Sequence, residues 1–198
     1  MSVLWILGEA KSGKSELAEE IFAHLPGKKY YIGTLPRIPK YMDMIKKHSK
    51  RRPKDWELIE ITNRLDSATR LIDGVSKNQV VATLLDGWGA YVTHRASKWG
   101  EENPNLTIAG EAYFVGQVSA EYHRLAGVCC YLIIVAHVSA HFPTASDYKS
   151  DPVAWRVRAV TNRCIRKADK VIYHDSENAS CKDEKYVKKI ARFMIAGS

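Results

Sequence analysis

The sequence predicts an α/β domain, a mainly parallel β-sheet flanked by helices. Three observations carry this. Several short runs are apolar throughout rather than alternating, as in strands buried on both faces. Stretches with apolar residues at helical spacing lie between those runs, the order of strand–helix crossover units. The first run is followed at once by a glycine-containing loop and then a helical pattern. With 198 residues and 45% hydrophobic content the chain can bury a substantial core. No Pro/Gly/Ser-rich linker divides it, so residues 1–198 are expected to form a single domain.

Taken in order, Val3-Leu4-Trp5-Ile6-Leu7 has the length and composition of a buried strand. Glu16 to His24 carries Leu17, Ala18, Ile21 and Phe22 at helical spacing. Lys29 to Thr34 reads as a second strand, Gln79 to Leu85 as a third closed by Asp86, and Tyr131 to Val135 as another, with Lys170 to Tyr173 a short last one. Helices are expected near Ile38–Lys50, Arg64–Val75, Ala90–Lys98, Ile108–Leu125 and Val153–Lys167. Val80–Leu85 is expected directly beside Val3–Leu7, which would bring Asp86 within reach of the glycine loop. Phe142 to Pro152, rich in Pro, Ser, Thr and Asp, reads as the least structured stretch: an exposed connection, a lid or a subunit-contact loop.

The loop itself is specific. Gly8-Glu9-Ala10-Lys11-Ser12-Gly13-Lys14-Ser15 is a complete G-x-x-x-x-G-K-[ST] phosphate-binding loop in its strand–loop–helix context. The backbone must curl around a phosphate chain with several N–H groups pointing inward. Gly8 and Gly13 permit that curvature, and the helix N-terminus adds the positive end of its dipole. Lys14 is placed to reach the β- and γ-phosphates, and Ser15 to put a hydroxyl on Mg²⁺. Asp86 stands at the end of an apolar strand, where a second metal-orienting carboxylate is needed. The pattern predicts a P-loop fold, a nucleoside triphosphate (ATP or GTP) and Mg²⁺ as cofactor.

The net charge of +8 invites anionic partners, which a triphosphate already supplies. The cysteines, Cys129, Cys130, Cys164 and Cys181, form no C-x-x-C pair. Cys129-Cys130 opens an apolar run and reads as the start of a buried strand. The apolar stretch at residues 3–7 is too short for a signal peptide, and no run has the length of a membrane span. A cytoplasmic location is the expectation. Residues 46–56 form a basic cluster around His48: Lys46, Lys47, Lys50, Arg51, Arg52 and Lys54, with Trp56 at its end. It reads either as a solvated or nucleic-acid-binding face, or as a reactive site. In the second reading the surrounding cations keep the His48 imidazole neutral and nucleophilic and hold the phosphates of an incoming nucleotide. The imidazole can then attack an α-phosphorus to give a covalent nucleotidyl-histidine.

These elements together resemble the adenosylcobinamide kinase / adenosylcobinamide-phosphate guanylyltransferase family. His48-x-x-x-Arg52-Pro53-x-x-Trp56 is similar to that family's His-x-x-x-Arg-Pro-x-x-Trp element, and the loop at Gly8–Ser15 follows its Gly-Gly-Ala-Arg-Ser-Gly-Lys-Ser. Tyr31-Ile32-Gly33-Thr34 matches a Tyr-Ile-Ala-Thr strand end, and Leu84-Leu85-Asp86 followed by Tyr91-Val92-Thr93 resembles Leu-Leu-Asp … Trp-Leu-Thr. Asn162 and Ala168-Asp169-x-Val171 resemble the family's Asn-Gln … Ala-Asp-x-Val tail. The resemblance implies two activities: phosphorylation of the aminopropanol hydroxyl of adenosylcobinamide, then transfer of GMP from GTP through a histidine intermediate. It implies that His48 carries GMP, that Arg52 assists on phosphate, that Lys14, Ser15, Thr34 and Asp86 belong to the nucleotide site, and that the protein is a homotrimer. The chain departs from the pattern after Val135. Where the family reads Asn-Glu-Val-Gly-x-Gly, this sequence has Ala136-His137-Val138-Ser139-Ala140-His141, and Trp155-Arg156 is a faint echo of the next element. A diverged nucleotide-binding module of the same fold, with one or both activities lost, is therefore a second reading. Nucleic-acid binding through the basic cluster is a third.

Overall fold

The computed structural model describes residues 1–61, 63–105, 107–137, 145–174 and 183–197. Six strands form one sheet: β1 (Ser2–Leu7), β2 (Lys28–Gly33), β3 (Glu57–Glu60), β4 (Val81–Asp86), β5 (Tyr131–Ala136) and β6 (Lys170–Tyr173), in spatial order β3-β2-β4-β5-β1-β6. Every pairing is parallel. Among the described residues eight helices accompany them: α1 (Lys14–Ala23), α2 (Pro39–Arg51), α3 (Asp66–Ser76), α4 (Trp88–Glu102), α5 (Ile108–Val128), α6 (Ala145–Ser150), α7 (Pro152–Ile165) and α8 (Glu184–Ala196).

Both faces of the central strands are covered, which explains their unalternating sequences. β1 and β5 are buried along their whole length. One face carries Trp5, Leu85, Leu132 and Ile134 against α3, α4, α5 and α7. The other carries Leu4, Ile6, Leu84 and Ile133 against α1 and α8. Trp5 packs edge-on against Trp88 at 5.5 Å, tying the first strand to α4.

The expected third strand begins at Val81 rather than Gln79, and the expected direct pairing of Val80–Leu85 with β1 is not found. β5 lies between β4 and β1. Asp86 nevertheless stays within reach of the glycine loop, because α1 leans across β5 and β4 more than over its own strand and carries Ser15 with it. Ser15 Oγ lies 3.1 Å from Asp86 Oδ1. Residues 142–144 of the expected loop lie outside the described residues, while α6 and α7 occupy most of the rest of that stretch. Cys129 is the C-cap of α5 rather than part of a strand, its thiol donating to Thr83 Oγ1 at 3.2 Å. Cys181 lies outside the described residues. Among the described residues no helix is long and apolar enough to cross a membrane.

Candidate active site

β1 ends at Leu7, and the loop from Gly8 to Gly13 turns the chain into α1 at Lys14. Two glycines are required by geometry. Gly13 has φ +88°, a left-handed conformation that costs other residues. Gly8 lies so close to the end of β6 that a Cβ there would stand 2.0 Å from the His174 carbonyl oxygen. Glu9, Ala10 and Lys11 are exposed on the outside of the loop. Ser12 is buried, and its hydroxyl has no hydrogen-bond partner among the described residues. Lys14 Nζ folds back to donate to the Glu9 carbonyl at 2.5 Å. Burial pulls its pKa below the ordinary lysine value, with Asp86 and Glu16 opposing that shift. Desolvated ammonium, inward hydroxyl and helix N-terminus together make an anion site that a phosphate chain completes.

Asp86 terminates β4 and is the hub of the site. Its Oδ1 accepts from Ser15 Oγ and its Oδ2 from the Tyr31 hydroxyl. Burial, then the neighbouring carboxylate, hold the Tyr31 phenol protonated far above its usual range, so it serves as a fixed donor. Thr34 sits behind Asp86: its hydroxyl faces the Asp86 and Gly87 carbonyls at 3.2 and 2.7 Å and fastens the turn that leads into α4.

His48 lies on the inward side of α2. Its Nδ1 is 3.2 Å from Glu19 Oε1 on α1, 3.4 Å from Asp86 Oδ2 and 3.5 Å from the Tyr31 hydroxyl. The side chain is 12% exposed, close to the 10% of Glu19, so this is an enclosed contact. The expectation that cations crowd His48 is thereby corrected. Two carboxylates face its ring nitrogen, and only Arg51 Nη2, at 3.2 Å, approaches it from the basic cluster. Arg51 is itself held by Glu19 at 2.9 Å and Glu16 at 2.5 Å. Burial disfavours the Glu19 carboxylate, yet the hydrogen bonds from His48 and Arg51 prevail and hold its pKa below the ordinary value. Arg52 lies over the Tyr31 ring at 3.5 Å, with a buried Nε that has no hydrogen-bond partner among the described residues. Lys46, Lys47, Lys50 and Lys54 are exposed, the solvated side of the same helix and of the turn beyond it.

One cavity of about 260 Å³ is lined by Lys14, Ser15, His48, Arg52 and Asp86, so the predicted phosphate, metal and nucleotidyl residues share a single chamber. Their elements converge because all strands point the same way and deliver their carboxyl ends to one edge of the sheet. Three residues of this neighbourhood escape a sequence reading: Glu19, Tyr31 in its polar role, and buried His174. Glu19 sits in an ordinary Glu-Leu-Ala-Glu-Glu helix pattern where nothing distinguishes it from its solvent-facing neighbours Glu16 and Glu20.

The model of the cobinamide kinase / cobinamide phosphate guanyltransferase family matches residues 4–140, well over half of the sequence. The chain belongs to this family. The match takes in the loop, His48, Arg52 and Asp86 but ends before the Ala168-Asp169-x-Val171 segment. There Asp169 is a structural anchor, its Oδ2 accepting from the Val3 amide at 2.6 Å. The departures at Val138 to His141 lie outside the described residues, whereas His137 is placed beside Gly8. A comparison with curated protein sequences returns no match. Among solved structures the protein is similar to an ATPase from the type III secretion system of pathogenic bacteria, with 13% identity over 90% of this chain and 52% of that one at a TM-score of 0.58. It is also similar to the assembled ATPase EscN of enteropathogenic E. coli, with 14% identity over 90% of this chain and 44% of that one at a TM-score of 0.53. This cobinamide kinase/guanyltransferase family member thus has a P-loop ATPase fold, and it spans about half the length of those two chains.

Proposed function

We propose that the protein is a bifunctional enzyme of corrinoid salvage. In this reading it phosphorylates the hydroxyl of adenosylcobinamide with ATP or GTP, then transfers GMP from GTP to the resulting phosphate. The observation that carries it is the placement of His48 in the phosphate cavity with Nδ1 facing Glu19 and Asp86. A carboxylate accepts from an N–H, so in a neutral imidazole facing Glu19 and Asp86, Nδ1 carries the hydrogen and Nε2 the lone pair for attack. That attack forms a P–N bond at the α-phosphorus and breaks the P–O bond to pyrophosphate. An oxygen of the cobinamide phosphate then displaces His48 and regenerates it. Arg52, parked on Tyr31 with an unpaired Nε, is the cation placed to meet phosphate oxygens during this exchange.

For phosphoryl transfer, Lys14 and the loop amides neutralise and orient the β- and γ-phosphates. Mg²⁺ fits the donor set of Ser15 Oγ and Asp86, hard oxygen ligands already 3.1 Å apart, and would supply further charge neutralisation there. A homotrimer acting in the cytoplasm completes the proposal and is testable by sedimentation and fractionation.

The decisive test is incubation with α-labelled GTP and Mg²⁺ near neutral pH. The expected product is a protein-bound label that is acid-labile and base-stable, as a phosphoramidate is, and that disappears in His48→Ala while kinase activity survives in part. Lys14→Ala should remove phosphoryl transfer by roughly a hundredfold or more, because a preorganised cation is lost where charge develops. Wild-type protein that binds nucleotide but never labels would favour the second reading, a diverged nucleotide-binding module. The observation behind that reading is His137, which replaces an acidic residue of the family pattern.

A further inference from the structure

Beside the phosphate cavity lies a second one of about 360 Å³, between α4 and α7, and the two share Gly89, Ala90 and His137. Its own walls include Thr93, Arg158 and Thr161 among small apolar side chains. The shared position of His137 follows from strand register. Leu7 pairs with Ala136 across β1 and β5, so Gly8 and His137 leave the sheet side by side. His137 Nδ1 lies 3.1 Å from the Gly8 carbonyl oxygen. A carbonyl oxygen only accepts, so Nδ1 carries the hydrogen, and in the neutral imidazole Nε2 carries the lone pair. An imidazole of fixed tautomer is therefore anchored on the first residue of the phosphate loop, at the wall between the triphosphate chamber and a neighbouring cavity.

We propose that the second cavity holds the alcohol-bearing arm of the acceptor and that His137 is the general base of phosphoryl transfer. The inference rests on the kinase half of the proposed function. In the step, the acceptor oxygen forms a bond to the γ-phosphorus while the bond from that phosphorus to the β,γ-bridging oxygen breaks. The nucleoside diphosphate leaves, and the hydroxyl proton passes to His137 Nε2. The cavity suits such a ligand. Thr93 and Arg158 offer hydroxyl and guanidinium partners for a polar, amide-bearing arm, and Ala90 with its apolar neighbours accepts the carbon skeleton. Nothing in this role involves His48, so the two histidines divide the two transfers between them.

The test uses the full-length protein with cobinamide and ATP, measuring phosphorylated corrinoid, ATP affinity and KM for cobinamide. His137→Ala should lower kcat by roughly a hundredfold or more at unchanged ATP affinity. His137→Asn retains an N–H for the Gly8 carbonyl but no basic nitrogen, so it should be as slow as His137→Ala. An Asn variant restored to near wild-type kcat would reduce His137 to an anchor and overturn the base role. Thr93→Trp, at an exposed position of α4, should raise KM for cobinamide at least tenfold without changing ATP affinity. Unchanged KM in that variant would overturn the acceptor site while leaving the kinase reading in place. Wild-type protein that binds ATP yet never phosphorylates cobinamide would instead overturn the kinase reading, and this inference with it.

Discussion

Two of the Arg–Glu clamps between helices in this protein are built differently. Arg156 on α7 meets Glu111 on α5 through two bonds, 2.8 Å from Nε and 2.6 Å from Nη2, and its Nη1 donates to the Ala96 carbonyl on α4. Both partners are almost sealed from water, with side chains 4% and 6% exposed. Around them α7 also buries Val160, Thr161 and Cys164. Arg51 on α2 makes the same kind of pair with Glu19 and Glu16 on α1, but its side chain is 36% exposed. α2 buries no residue at all. The first clamp sits inside a hydrophobic contact between the helices. The second, with His48 and the Arg52–Tyr31 stack, is most of what attaches α2. A helix held mainly by such contacts can be released at little cost, since exposed ion pairs contribute about 1 kcal/mol or less. The helix that carries the proposed covalent residue is attached in this way.

The contrast can be broken in four steps of decreasing size. Arg156→Ala strands the Glu111 carboxylate in the interior and should cost about 3–5 kcal/mol, read as a lowered midpoint in urea unfolding. A loss under 1 kcal/mol would show that the buried clamp is no stronger than the exposed one. Glu19→Gln removes the negative charge behind His48 without changing shape, so nucleotidyl labelling should fall about a hundredfold. The drop is smaller than the ten-thousandfold of a serine-protease aspartate, because Asp86 stays beside the same nitrogen. Arg51→Ala should lower global stability by about 1 kcal/mol or less, while amide exchange across α2 accelerates and that across α7 does not change. Equal acceleration in both helices would erase the distinction. Acid should produce the mildest form of the same effect. The Glu19 pKa is depressed in the folded protein, so its contribution is complete above the ordinary carboxylate value of 4.5 and is lost as pH falls through the lower folded value. Exchange in α2 should rise in that window before the sheet melts.

Much of this was legible in advance. Continuous apolar runs marked β1, β4 and β5 because burial on both faces leaves no room for alternation, and β2 and β6 were legible as shorter runs beside charged residues. β3 was not legible. Glu57-Leu58-Ile59-Glu60 is a four-residue edge strand with Leu58 47% exposed, so neither a buried run nor a clean period marks it. α8 went unassigned although its spacing shows it: Val187, Ile190, Ala191 and Met194 fall on one face behind the Asp183 cap. Strand order is a different matter. A carboxylate after an apolar run specifies a strand end, not which strand lies beside it, and β5 took the place expected for β4. At the site, residues with fixed motif spacing were readable, namely Lys14, Ser15, His48, Arg52 and Asp86. Glu19 and Tyr31 become polar partners only through the docking of α2 on α1, a tertiary fact with no local signature. Arg156, a weak sequence echo, proved to be a structural clamp.

The strand order also governs when the phosphate loop can form. Among the described residues β1 pairs with β5 and β6 alone, partners 129 and 166 positions further along the chain. β2, β3 and β4 meanwhile pair among themselves and with β5, at shorter range. During synthesis the Val-Leu-Trp-Ile-Leu strand therefore emerges early and waits, apolar and without a neighbour, until residue 131 has left the ribosome. Contacts of such separation are closed late, after their loop entropy has been met by other parts of the fold. An unhoused strand of this composition is the segment most exposed to mispairing in the meantime. Slow synthesis between residues 8 and 130 should consequently favour aggregation over activity, although no residue in that stretch has been changed.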